Sequence, residues 1–208
     1  MKNLVIIGAG GMGRTMYNIA LECLGFKTEF QIKGFLDDDL SALDGFDGYP
    51  PVLGKVSDYE IDADDVFTFS IGGESRRKCI DALAAKGAEF INLIHSTARI
   101  GTNVRLGKGN IVAAFTTIGP DCVLGDYNMI QSYSVIGHDA HIGSYNRLDT
   151  HVTCVGGITI KDETTIHTSA VINHKVTVGN HAKVGACSFV IRSVKEGQTV
   201  FGVPAKKL

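Results

Sequence analysis

The stretch TIGPDCVLGDYNMIQSYSVIGHDAHIG, residues 117–143, has an aliphatic residue at every sixth position and a glycine directly after four of these five residues. The same count of six runs from Ile94 to Val190, and sixteen of its seventeen positions are aliphatic. A period of six fits neither a 3.6-residue helix nor an alternating strand, and it is typical of the hexapeptide repeat of a parallel β-helix. Each hexad predicts one side of a triangular coil, with the aliphatic residue inside and the glycine relieving the crowded backbone of the turn.

Residues 1–90 lack this period and alternate predicted strands with predicted helices. A strand predicted at 4–7 leads into the glycine-rich segment GAGGMG. Apolar residues then recur at helical spacing as far as Gly25. Further strands are predicted at 30–36 and 66–71, and a helix over 75–86. Strands that alternate with helices indicate a small parallel α/β sheet. We therefore expect a Rossmann-like domain over residues 1–90 and a β-helix over residues 91–208.

Composition excludes several classes of protein. The chain has 208 residues, of which 44% are hydrophobic and 20% charged, a composition typical of a globular protein. Its net charge is −2 and no basic block is present, which argues against nucleic acid and anionic membranes as partners. The apolar opening run breaks at Gly8, too early for a membrane span or a signal peptide, so we expect a cytosolic protein. Five widely spaced cysteines without a C-x-x-C pair favour neither a disulfide framework nor a zinc site.

The glycine-rich segment between the first strand and the first helix predicts an anion site. Its backbone lets a diphosphate approach the free amides and the dipole of the helix amino terminus. Asp37, at the end of the second predicted strand, lies where a ribose or sugar hydroxyl would be held. A turn without any ligand is the alternative. Because about 90 residues offer only four predicted strands, a nucleotide sugar or a sugar phosphate fits better than the dinucleotide NAD.

Histidines in the repeat provide one candidate for a catalytic base. Most of the six are expected to be exposed corner residues without a role. His138 differs because Asp139 follows it, and a neighbouring carboxylate can orient an imidazole as a general base. His174, two coils later, has Lys175 beside it instead, so His138 is the better candidate. The two imidazoles would lie about 10 Å apart, too far to hold one metal ion, and we expect no metal.

Six short segments, in this order along the chain, resemble one family. The sequence is similar to the bacterial sugar acyltransferases that include UDP-4-amino-sugar N-acetyltransferases, of bacillosamine and perosamine type, and sialic acid O-acetyltransferases. The resemblance implies a left-handed β-helix, acetyl-CoA as co-substrate and a homotrimer. The matching segments are IGAGGMG at 7–13, GFLDDD at 34–39, SIGG at 70–73, INLIH at 91–95, VIGHD at 135–139 and FGVPAK at 201–206.

The resemblance also implies roles for single residues. His138 corresponds to the catalytic base, which takes a proton from the sugar amine or hydroxyl, and Asp139 to the acid that orients it. The amide of Gly156 would stabilise the oxyanion, and residues 203–205 would close the donor groove. The implied sugar-nucleotide residues are Gly10, Gly11, Met12, Asp37, Asp38 and Gly72. The implied acetyl-CoA residues are Arg147, Gly156, Thr168 and Ala186.

The sequence departs from the family pattern at Met12 and Arg147, where histidine is common, and in the polar run 148–151. Arg147 is expected to meet acetyl-CoA or one of its phosphates. The first hypothesis is N-acetylation of a nucleotide-linked 4-amino sugar, which the glycine loop and residues 37–38 favour. O-acetylation of sialic acid or another free sugar, a non-catalytic sugar-nucleotide-binding protein and an NAD-dependent enzyme stay open as alternatives.

Overall fold

The computed structural model describes the backbone of residues 1–208 and every side chain except that of Glu74. The chain divides into two compact units, Met1–Leu93 and Ile94–Leu208. This division falls three residues after the boundary expected at 90, because Ile91 still donates a hydrogen bond to the carbonyl of Phe67 in the first unit. No helix in the described chain is both long and apolar enough to cross a membrane.

The first unit is a parallel five-stranded sheet with strand order β3-β2-β1-β4-β5 and two helices. The strands predicted at 4–7, 30–36 and 66–71 correspond to β1, β2 and β4. The sequence missed β3, whose three residues follow two prolines. β1 is buried over Leu4–Ile7, as expected for a central strand covered on both faces. The elements are β1 (Lys2–Ile7), α1 (Gly11–Leu21), β2 (Phe30–Leu36), β3 (Val52–Gly54), β4 (Asp65–Phe69), α2 (Gly73–Ala85) and β5 (Glu89–Phe90).

A buried ion-pair cluster connects the two strands on either side of β1. The ammonium of Lys33 in β2 lies 2.8 Å from Oδ1 of Asp65 in β4, and the hydroxyl of Tyr59 donates to Oδ2 at 2.7 Å. The Asp65 side chain is fully buried. Burial by itself raises the pKa of this carboxyl, but the hydrogen bonds from Lys33 and Tyr59 lower it more, so the pKa of Asp65 lies below its usual value. The cluster therefore stabilises the unit with Asp65 ionised.

The second unit is a parallel β-solenoid with three sheets, which we call faces I, II and III. Face I contains β7 (Arg99–Ile100), β10 (Thr117–Ile118), β13 (Val135–Ile136), β16 (Thr153–Cys154), β19 (Val171–Ile172) and β22 (Phe189–Val190). Face II contains β8 (Arg105–Leu106), β11 (Val123–Leu124), β14 (His141–Ile142), β17 (Thr159–Ile160) and β20 (Thr177–Val178). Face III contains β6 (Leu93–Ile94), β9 (Ile111–Val112), β12 (Met129–Ile130), β15 (Arg147–Leu148), β18 (Thr165–Ile166), β21 (Lys183–Val184), β23 (Thr199–Gly202) and β24 (Ala205–Lys207).

The predicted hexapeptide solenoid is confirmed. Strands 18 residues apart pair in parallel, for example Ile118 with Ile136, and the aliphatic residues form one continuous buried core. Four-residue corners join face I to II, II to III and III to I, and we name each corner by the two faces that it joins. At the carboxyl end of the chain, β23 and β24 form an antiparallel hairpin that extends face III.

The glycine that follows many of the aliphatic residues lies where the backbones of two successive coils approach closely. The left-handed backbone of the turn falls two residues later, usually at a residue other than glycine, as at Asp139 with φ 55°. The glycine instead makes room for the next coil, since a Cβ added at Gly119 would lie 2.8 Å from the amide nitrogen of His138. The predicted spacing and the predicted crowding are therefore both present, and the crowding comes from the backbone of the next coil.

Asparagines stack inside the II–III corner of successive coils. Asn110, Asn128 and Asn146 are fully buried. The Asn128 amide donates to Oδ1 of Asn110 at 3.0 Å and to the carbonyl of Gly143 at 2.9 Å. Because an unpaired buried amide is costly, these bonds fix the register of one coil on the next.

Candidate functional site

The pair His138–Asp139 lies at the I–II corner, directly after β13. Nδ1 of His138 is 2.6 Å from Oδ2 of Asp139, and both side chains are more than half exposed. The left-handed backbone of Asp139 turns its carboxylate back toward the preceding residue. In the tautomer that donates from Nδ1, Nε2 is the proton acceptor, so the geometry suits a general base that is open to a substrate.

Gly156 occupies the position of His138 in the next coil. The imidazole lies across it so closely that a Cβ added at Gly156 would overlap the ring. The amide of Gly157 donates to the carbonyl of His138 at 2.8 Å, which fixes the two coils against each other. The Gly156 amide itself donates to no acceptor within the described chain. An amide beside the base, without a partner, is suited to stabilise an oxyanion.

The other residues implied for acetyl-CoA lie elsewhere on the solenoid. Thr168 and Ala186 are at the III–I corner, and Arg147 is on the outer side of β15 in face III. The III–I and I–II corners are the two ends of face I, separated by about five extended residues or roughly 15 Å. Within one chain, therefore, only Gly156 of the four implied donor residues is brought to His138.

The cysteines do not provide an alternative nucleophile at this corner. Cys122 and Cys154 are buried beneath it, and burial raises the pKa of the Cys154 thiol to about 12. A thiol with so high a pKa is protonated at neutral pH and is a poor nucleophile. Among the described residues, no three His, Cys, Asp or Glu side chains are arranged to hold a metal ion.

The glycine loop in the first unit joins β1 to α1. Gly8 has a left-handed backbone with φ 97°, and the Ser70 hydroxyl at the end of β4 donates to the carbonyl of Ile7 at 2.9 Å. A Cβ added at Gly13 would overlap the carbonyl oxygen of Gly8. These glycines are therefore required by the close packing of the loop itself.

Gly10 and Gly72 are both found at the amino ends of helices. Each is the residue before a helix, α1 and α2 respectively, and neither helix has a side-chain cap at its amino end. A Cβ added at Gly10 would meet nothing within 4 Å. The strand order reverses between β1 and β4, where both helices begin. Such a crevice with free helix amides is where open α/β sheets bind phosphate groups.

The two predicted carboxylates have different environments. Oδ2 of Asp37 accepts from the amide of Ala9 at 2.7 Å, and Oδ1 accepts from the amide of Asp39 at 3.0 Å. Asp37 thus holds the glycine loop, a role that the sequence did not suggest. Asp38 is exposed and makes no hydrogen bond or ion pair within the described residues. The pKa of Cys79 is raised by burial first and then by the negative charge of Asp38. Asp38 is consequently the better placed of the two to reach a sugar hydroxyl.

Sequence reasoning missed several candidate residues of the first unit. The guanidinium of Arg14, one helical turn into α1, lies 3.6 Å from the ring centroid of Phe46, which holds a cation near Gly11. A cavity of about 410 Å³ opens where β3 ends, and Leu40 and Lys55 are among its lining residues. No motif marks these positions, because Phe46 meets Arg14, and the cavity residues meet one another, only through the folding of residues 37–60. Met12, in the first turn of α1, is partly buried.

Comparisons with known proteins show what the chain is similar to. Residues 3–82 match the family of the PglD N-terminal domain. The chain is 28% identical to UDP-N-acetylbacillosamine N-acetyltransferase of Bacillus subtilis (strain 168) over 119 residues, which are 55% of this chain and 52% of that enzyme. The match therefore spans about half the length of this curated relative.

Solved structures are similar over the whole chain. The acetyltransferase domain of PglB from Neisseria gonorrhoeae FA1090, in complex with acetyl coenzyme A, is 27% identical, with a TM-score of 0.89 and coverage of 100% of this chain and 99% of that one. PerB from Caulobacter crescentus, in complex with CoA and GDP-perosamine, is 27% identical, with a TM-score of 0.85 and coverage of 100% and 98%.

Proposed function

We propose that this chain is a member of the sugar acetyltransferase family and transfers the acetyl group of acetyl-CoA to the amino group of a nucleotide-linked amino sugar. The observation that carries the proposal is the His138–Asp139 pair, which lies across the unpartnered amide of Gly156. The likeness of the whole chain to a domain bound to acetyl coenzyme A supports it. These findings favour acetyl transfer over an NAD-dependent reaction and over a role in binding alone.

In this mechanism Nε2 of His138 takes a proton from the sugar amine while the amine nitrogen attacks the thioester carbonyl. Asp139 holds the imidazole through Nδ1 and stabilises the imidazolium that forms. The amide of Gly156 donates to the oxyanion of the tetrahedral intermediate. The C–S bond then breaks, the sulfur of CoA leaves with the proton that His138 carries, and the new C–N bond remains in the product.

The acceptor is assigned to the first unit. The free amides at the start of α1, with Gly10, Gly11 and Met12, are placed to hold a diphosphate. Asp38 and the start of α2 at Gly72 would receive the sugar or ribose hydroxyls. The match of residues 3–82 to the PglD N-terminal domain and the GDP-perosamine bound to PerB support a nucleotide sugar as acceptor.

We further propose that the active enzyme is a homotrimer with the donor bound between copies. Thr168 and Ala186 lie at a different corner from His138, so a second copy can bring both sets to one donor. Face I and the III–I corner expose apolar side chains, namely Val135 at 42%, Phe115 at 52% and Tyr133 at 50%. Contiguous exposed apolar surface of this kind favours association. Light scattering on the purified protein tests the trimer, and a monomer with full activity would contradict it.

All five cysteines are free thiols. Free thiols are typical of the reducing cytoplasm, where acetyl-CoA is available, and we place the reaction there.

The release of the CoA thiol in the presence of UDP-, GDP- or dTDP-linked 4-amino sugars tests the proposed function. Release with free sialic acid alone would contradict the nucleotide-sugar acceptor and favour O-acetylation.

A further inference from the structure

The III–I corner carries a column of polar side chains at the position where other corners mostly have glycine. Gln131, Asp149 and His167 follow the aliphatic residue of β12, β15 and β18 in three successive coils. Gly119 and Gly137 occupy the equivalent positions at the I–II corner, where an added Cβ would meet the next coil. The III–I corner thus has space for a cluster of side chains that the solenoid itself does not require.

Asp149 is the centre of this cluster. Its residue surface is 5% exposed, and its Oδ1 accepts from Nε of Arg147 at 2.6 Å and from Nε2 of Gln131 at 2.8 Å. Nδ1 of His167 lies 3.1 Å from its Oδ2. The hydroxyl of Thr150 donates to Oε1 of Gln131 at 3.1 Å, which turns the amide nitrogen of that side chain toward Asp149. A buried carboxylate with this many donors holds each of them in one orientation.

This arrangement leaves the outer nitrogens of two basic side chains available. Asp149 engages only Nε of Arg147, whose two terminal nitrogens make no hydrogen bond within the described chain. It engages only Nδ1 of His167, so Nε2 is left for a ligand. The two side chains are 38% and 42% exposed. A guanidinium with both terminal nitrogens free is suited to two parallel hydrogen bonds with a phosphate.

We propose that Asp149 is a positioning residue that holds Arg147 and His167 as a phosphate-binding pair for the CoA donor. The inference rests on the proposed function and adds to it Asp149 and His167, which the family resemblance does not assign. His167 directly precedes Thr168, a residue expected beside the donor. CoA carries its 3′-phosphate and its diphosphate far from its thioester, so these phosphates need a site other than the one that His138 and Gly156 form. The 3′-phosphate and the diphosphate share this chemistry.

The test compares three donors in steady-state kinetics: acetyl-CoA, acetyl-dephospho-CoA and S-acetylpantetheine, which has neither kind of phosphate. Asp149→Asn is expected to raise KM for acetyl-CoA about tenfold, with kcat little changed, and to leave KM for S-acetylpantetheine unchanged. A rise that persists with acetyl-dephospho-CoA assigns the pair to the diphosphate, and a rise that disappears assigns it to the 3′-phosphate. An equal rise with all three donors would overturn the inference.

A double variant separates positioning from a general effect on the fold. Since Asp149 acts partly through Arg147, KM of the double variant should rise by less than the product of the two single rises. A rise equal to that product would contradict the proposal. Asp162→Asn, at an exposed carboxylate of the II–III corner, is the matched control and should leave KM unchanged. Should Asp149→Asn fail to fold, Arg147→Gln alone must still show the difference between donors.

Calorimetric titration with CoA distinguishes this inference from the proposed function. A wild-type protein that binds no CoA would contradict both. A wild-type protein that binds CoA, together with variants that bind it equally well, would contradict the phosphate pair alone.

Discussion

Nε2 of His138 is the atom nearest to the place that a side chain at Gly156 would take, one coil further along the solenoid. The base and the candidate oxyanion donor are therefore parts of one stacked arrangement, although 18 residues separate them in sequence. The position of the imidazole depends on the absence of a side chain at Gly156.

Gly156→Ala should reduce turnover without unfolding the protein. The added methyl group overlaps the end of an exposed side chain, which can move, so the melting temperature should change by less than about 3 °C. A displaced base should lower kcat by about tenfold or more. Gly101→Ala is the matched control, because its Cβ would meet backbone atoms of the next coil at 2.6 Å and 2.7 Å. Gly101→Ala should therefore have a lower melting temperature than wild type. An unchanged kcat in Gly156→Ala would contradict the assigned site.

Gly10→Ala should weaken binding of the acceptor alone. Since an added Cβ at Gly10 meets no protein atom within 4 Å, the melting temperature should not change. A diphosphate that approaches the loop, however, would meet the new methyl group. We expect KM for the nucleotide sugar to rise about tenfold and KM for acetyl-CoA to stay unchanged, which serves as the internal control. Equal KM values for the acceptor in wild type and variant would show that the diphosphate does not bind at this loop.

Asp65→Asn should destabilise the fold in a pH-dependent way. The pKa of Asp65 in the folded protein is lowered, so its stabilising effect is complete above its usual pKa of about 3.9 and is lost as the pH falls through the folded value. At pH 7 the variant should lose about 3 kcal/mol of unfolding free energy, because the carboxylate of the exposed Asp62 is then the one anion left beside the Lys33 ammonium.

Denaturant unfolding at several pH values measures this effect. The difference between Asp65→Asn and wild type should narrow below about pH 4. Asp64→Asn, at the neighbouring exposed carboxylate, is the control and should change little at any pH. A difference that stays constant down to pH 3 would show that the ion pair is not its cause.

The solenoid could be predicted from the sequence because its interior repeats the same requirement in every hexad. His138 and Asp139 could be predicted for a related reason, since two adjacent residues of complementary chemistry are visible without knowledge of the fold. The three-residue strand β3 (Val52–Gly54) could not, because a strand so short has no periodicity.

The remaining site residues depend on relationships between coils and between strands. Asp37 holds the loop through the amide of Ala9 because β1 pairs with β2. This contact is visible only once that pairing is known. The polar run 148–151 had no explanation as a sequence, because the partners of Asp149 come from the coils before and after it. Side chains that meet across a distance of 18 residues carry no local pattern.

The central claim is that His138 is the base of acetyl transfer to a nucleotide-linked amino sugar. The most direct test measures release of the CoA thiol by wild type and by His138→Ala. Each protein is assayed with a panel of UDP-, GDP- and dTDP-linked 4-amino sugars and with free sialic acid. We predict release with at least one nucleotide-linked amino sugar and a loss of about 100-fold or more in kcat in the variant, with CoA binding retained. Full turnover by His138→Ala would contradict the account.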